Sequence, residues 1–128
     1  MKHKNLTTSD KIRSYIADEI TAAGGGGDGA EAVMDGLFSS LNEMTWRNES
    51  AKYIFHICDS PAHGSEYGPR KHDHFPEGCP CGVTLGYVAE ELRKKKISYK
   101  LVKIGSFPNK MAEIFRDTIT DYEMLDID

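Results

Sequence analysis

Apolar positions along the chain recur with two periods. In residues 7–23, Ile12, Tyr15, Ile16 and Ile20 fall three or four apart, the spacing of one helical face. Thr7 and Asp10 ahead of them have the spacing of a capping box. The glycine run at 24–27 ends that helix, and a second is predicted over 29–44, with Val33, Leu37, Phe38 and Leu41 as its buried stripe. Gly36 inside it marks close helix–sheet packing, at a cost of about 1 kcal/mol relative to alanine. The period then changes. Residues 52–58, KYIFHIC, form a continuous aromatic and β-branched run that predicts a strand covered on both faces, with His56 as a core or interface histidine. A third amphipathic helix over 83–96 turns Leu85, Val88, Ala89 and Leu92 inward, and a second strand follows at 98–104. Pro108 opens a last helix carrying Met111, Ile114, Phe115 and Ile119. The acidic end, DYEMLDID, predicts a frayed tail, and Trp46 an anchor at the core edge.

This order predicts an α/β protein whose strand–helix–strand unit forms a right-handed parallel crossover. Two strands are too few for a parallel sheet to stand alone, so the expected architecture is a partial doubly wound sheet. Residues 59–80 carry no period. A stretch of roughly twenty residues without an element is expected to be functional or flexible.

Composition narrows the function classes. A length of 128 residues fits one domain, and 39% apolar content with a mean hydropathy of −0.50 fits a soluble globular chain. A formal charge of −4 argues against a nucleic-acid partner. The basic run at 93–96 reads as a helix C-terminus, where cations complement the dipole. No stretch approaches the roughly 18 apolar residues of a membrane span. The polar start, MKHKNLTTSDKI, has no apolar leader core, so a cytoplasmic location is expected. Three cysteines, an odd number, predict reduced thiols rather than a disulfide framework.

Two stretches carry candidate chemistry. In GGGGDGAE the glycines follow a helix, not a strand, and no Gly-Lys-Ser/Thr closes the loop, so neither a dinucleotide fingerprint nor a Walker loop fits. Asp28 already supplies negative charge at a helix start, which disfavours a bound phosphate. It reads either as an N-cap, with Glu31 completing an acidic capping box, or as a carboxylate presented to a hard cation. In HICDSPAHG, Asp59 follows the strand directly, at the carboxyl end of a parallel sheet where α/β proteins hold ligands. The long loop also gathers His63, His72, Asp73, His74, Cys79 and Cys81. These would furnish a small zinc-binding domain over 63–81, although a one-residue gap between cysteines is poor for a tetrahedral site and zinc is expected to be absent. Cys58 with His63 as base would make a hydrolase, but a buried strand thiol is usually inert.

The segments GGGGDGAEAVMDGLFSSL and KYIFHICDSPAHGSEYG together resemble the von Willebrand factor A domain, in the intracellular form found beside alpha-type protein kinases. There a GGGD-x-x-E helix start precedes a strand ending in D-[AS]-P-x-H-G, and DHFPEGCP and KKKISYKLVKI follow in the same order. The resemblance covers about residues 12–119. It implies a doubly wound sheet, a non-catalytic protein-interaction role, and a metal-ion-dependent adhesion site for Mg²⁺ or Mn²⁺. Asp59 matches the strand-end aspartate of that site and Asp28 its second-loop position. The implied binding face comprises Gly26, Gly27, Asp28, Glu31, Asp59, Ser60, His63 and Tyr67. The family's D-x-S-x-S motif and first strands are not in this sequence, so it matches the C-terminal portion of the domain, or a fragment of a larger alpha-type kinase-like protein. Two carboxylates fall short of the roughly six oxygens a hard cation prefers, so the implied site is incomplete and weak. The expected partners are another protein or a second copy, through an open sheet edge.

Overall fold

Among the described residues three parallel strands lie side by side in the order of their sequence, β1 (Lys52–Cys58), β2 (Ile97–Ile104) and β3 (Tyr122–Ile127). The computed structural model describes residues 8–20 and 27–127. Helices α1 (Ser9–Glu19) and α2 (Val33–Asn42) precede the sheet, α3 (Leu85–Lys95) joins β1 to β2, and α4 (Asn109–Thr118) joins β2 to β3. The arrangement is α/β and consistent with a partial Rossmann-like fold.

Local chemistry sets the boundaries. Thr84 caps α3 by accepting the Tyr87 amide at 3.2 Å, and Lys96 ends it in the left-handed conformation, φ 55°. The basic run does close that helix, with Arg93 and Lys94 paired to Glu90 and Glu91 one turn back. Helix α2 is shorter than its apolar stripe predicted, beginning at Val33. Helix α1 is capped at Thr8 without a side-chain bond, and the capping box expected from Thr7 lies outside the described residues. A side chain at Gly36 would meet open space, so that glycine does not mark the close helix–sheet approach expected of it.

The core lies on one face of the sheet. Tyr99 and Leu101 of β2 are fully buried there, with Leu41 of α2, Val88 of α3, and Met111 and Phe115 of α4. The rings of Tyr67, Phe115, Tyr99 and Tyr122 run in sequence through it, centroids about 6 Å apart. Trp46 anchors the core edge, its indole N–H donating to the Ser40 carbonyl at 2.8 Å. His56 faces the same side and meets the Tyr99 hydroxyl; burial pushes its pKa down to about 4.

Three expectations are corrected here. Strand β1 is not covered on both faces: its residues alternate, and Tyr53, Phe55 and Ile57 remain 52%, 66% and 66% exposed. The acidic tail is not frayed, because Tyr122–Ile127 pairs with β2 along its length. Its acids meet lysines across the pair, Glu123 with Lys100 and Asp126 with Lys103 at 2.6 Å, so charge that reads as a solvated tail satisfies cations of a neighbouring strand. The cysteines are not all reduced. Cys79 and Cys81 are joined across Pro80, with Cα atoms 5.2 Å apart, inside the span a disulfide needs.

Candidate functional site

Three segments meet where β1 ends. The residues after Cys58 turn inward, burying Pro61, Ala62 and His63. Glu31, at the approach to α2, pairs with this turn as a short parallel bridge: its amide donates to the Pro61 carbonyl at 2.8 Å, and its carbonyl accepts the His63 amide at 3.2 Å. The third segment, residues 70–76, closes from the other side through Gly29 N–H to the His72 carbonyl at 2.8 Å.

Carboxylates lock these backbones together. Asp73 accepts from the Gly64 amide at 2.7 Å, the Phe75 amide at 2.8 Å and His63 Nδ1 at 2.8 Å. Asp28 accepts the His74 amide at 2.7 Å. Its carboxylate thus reaches 46 residues along the chain instead of capping its own helix, whose N-cap is Ala32. The N-cap reading of Asp28 is therefore corrected. Gly27 makes this possible, because its φ of +86° suits glycine and an added Cβ would lie 3.2 Å from the His74 ring.

Burial alone would raise the Asp73 pKa; the donations from Gly64, His63 and Phe75 outweigh it and hold the carboxyl below its usual range. The ionised carboxylate accepts from His63 Nδ1 and orients the ring. Phe75 packs edge-on to the same imidazole, centroids 5.0 Å apart. Among the described residues, Asp28, His63 and Asp73 form one group whose ligand atoms lie within 4.8 Å of one another.

The expected binding face divides under this geometry. Asp59 is exposed at the strand end, Glu31 is exposed, and Ser60 is half-buried. His63 and Tyr67 lie beneath, 8% and 4% exposed, with the Tyr67 ring against Phe115, so Tyr67 serves the core. Gly26 lies outside the described residues. Sequence spacing placed Asp73 only among the loop's histidines and cysteines. The signal that finds its role is the Asp-x-Phe-Pro turn, in which the carboxylate takes the amide two residues on.

The other candidate sets separate. Asp35, Cys79 and Cys81 also cluster, but a disulfide between the two sulfurs leaves no thiolate for zinc. Burial first, and the neighbouring Asp59 charge second, push the Cys58 thiol up to about 11, with Lys103 opposing. Iodoacetamide at pH 8 should therefore modify Cys58 at least about tenfold more slowly than an unhindered thiol. Labelling at the free-thiol rate would revive a nucleophilic role.

No family model matches the chain. Over 77 residues, 60% of this chain, it is 38% identical to the alpha-protein kinase vwkA of Dictyostelium discoideum. The match spans 12% of that protein's length.

Proposed function

We propose that this chain is a non-catalytic protein-interaction module of the von Willebrand factor A type, working in the cytoplasm and related to modules carried by alpha-type kinases. The observation that carries this reading is the docking of the glycine–aspartate loop onto the turn after β1. It brings two segments of distant sequence to the strand end, where α/β folds present ligand-binding loops. Similarity to a protein named as an alpha-protein kinase supports the kinase-associated part of the reading. The exposed residues of the face are Gly27, Glu31 and Asp59, with Ser60 beside them. A protein partner engages it directly or through a weakly held Mg²⁺ or Mn²⁺ on Asp28 and Asp59.

Asp59→Ala tests this. The side chain is exposed, so stability should change by less than about 0.5 kcal/mol. Mn²⁺ affinity measured by calorimetry should fall, and proteins enriched on immobilised wild type should be lost from the variant. Equal Mn²⁺ heats would remove Asp59 as a ligand, and an unchanged set of enriched proteins would remove the face.

A further inference from the structure

We propose that Asp28, His63 and Asp73, with His74 beside Asp28 at the exposed mouth, form a binding site for a divalent transition-metal ion of the zinc class, separate from any hard-cation site that includes Asp59. The decisive spacing surrounds Asp28. Its Oδ2 lies 3.8 Å from His63 Nδ1 and 3.8 Å from His74 Nδ1. Both separations exceed a hydrogen bond, yet they suit ligands sharing one ion at bond lengths of about 2.0–2.2 Å. Asp73 Oδ1 belongs to the same cluster, 2.8 Å from the His63 nitrogen.

The surroundings favour an ion as well. The Asp28, His63 and Asp73 side chains are only 9%, 9% and 4% exposed, while the His74 side chain is 61% exposed and gives an entry path. Backbone bonds hold the two carboxylates in place: the His74 amide on Asp28, and the Gly64 and Phe75 amides on Asp73. Little ordering is left to do on binding. An imidazole among two carboxylates, with a second imidazole beside Asp28, suits zinc and its neighbours in the first transition row, whereas Mg²⁺ prefers oxygen ligands. The proton balance closes within the site. For Nδ1 of His63 to bind metal, its proton moves to Nε2, and the metal takes the place of the hydrogen bond to Asp73.

The site goes beyond the interaction reading and does not depend on it, because it shares Asp28 with that face but not Asp59. The test is zinc titration of the full chain without reductant, in competition with a fluorescent chelator, followed by Co²⁺ absorption. Wild type should take up a single zinc per chain. His74→Ala and Asp28→Asn should each weaken binding by about tenfold or more. His74 is exposed, and asparagine keeps an acceptor for its amide, so both variants should fold. His72→Ala and Asp59→Ala should bind as wild type. The Co²⁺ spectrum should show nitrogen and oxygen ligation without a thiolate charge-transfer band. Substoichiometric zinc, unchanged affinity in His74→Ala and Asp28→Asn, or binding lost only in Cys58→Ser would overturn the site.

Discussion

Asp73→Ala should destabilise the protein by about 3 kcal/mol, more than any other single loop carboxylate. The reason is the partners left behind. Removing the carboxylate strands the Gly64 amide and His63 Nδ1 in a buried site, where an unpaired donor costs about 1–3 kcal/mol, and leaves the part-buried Phe75 amide unpaired as well. Asp73→Asn keeps two acceptor lone pairs but no charge, so it should fall between wild type and alanine. The pH dependence has a definite sign. The folded carboxyl titrates below its ordinary value, so the stability it contributes is present above the unfolded carboxyl range, near about pH 4. That stability is lost as pH falls through the lower, folded value. Urea melts of wild type should therefore weaken on acidification through that window, and those of Asp73→Asn should weaken less. An alanine variant within about 0.5 kcal/mol of wild type at pH 7 would show that the loop does not hang on this clasp.

Much of the scaffold was legible because its signals are local. The apolar stripe of α3 ends in a basic turn, and β1 and β2 are runs of β-branched and aromatic residues bounded by polar turns. Strand β3 was not legible, because the acids in YEMLDI resemble a solvated tail until their lysine partners, about 23 residues earlier, are known. Exposure of one β1 face was equally hidden, since a continuous apolar run describes a buried strand as well as a half-covered one. In the site, Asp28 stood out through its glycines, but its contact with His74 lies 46 residues away. No spacing rule reaches that far. By spacing, the His/Cys loop resembles one ligand set, whereas the fold divides it between a disulfide, a carboxylate clasp and a histidine facing Asp28.

The isolated chain should self-associate at micromolar concentration. Helix α4 packs on the sheet face bearing Tyr99 and Tyr122, through the Phe115 ring and a bond from the Tyr122 hydroxyl to the Ala112 carbonyl. The opposite face presents Tyr53, Phe55, Ile57, Leu125 and Ile127, each between 45% and 66% exposed. Parallel sheets ordinarily have both faces covered, and apolar patches beyond roughly a few hundred Å² seldom stay bare on monomers. Strand β1 adds a second opening, because β2 is its only neighbour among the described residues and its outer edge is unpaired. Helix α1 does not close the gap: it buries no residue and packs against no other described helix or strand. Light scattering should give a mass above the monomer, and melting should depend on protein concentration. Phe55→Lys with Ile57→Lys should shift the protein towards monomer with little loss of monomer stability, since both side chains are already in water. Like charges along an edge strand also oppose edge-to-edge pairing. A monodisperse wild-type monomer with a sharp, concentration-independent, high-temperature transition would mean that this face needs no cover, and the partial-sheet reading would fail with it.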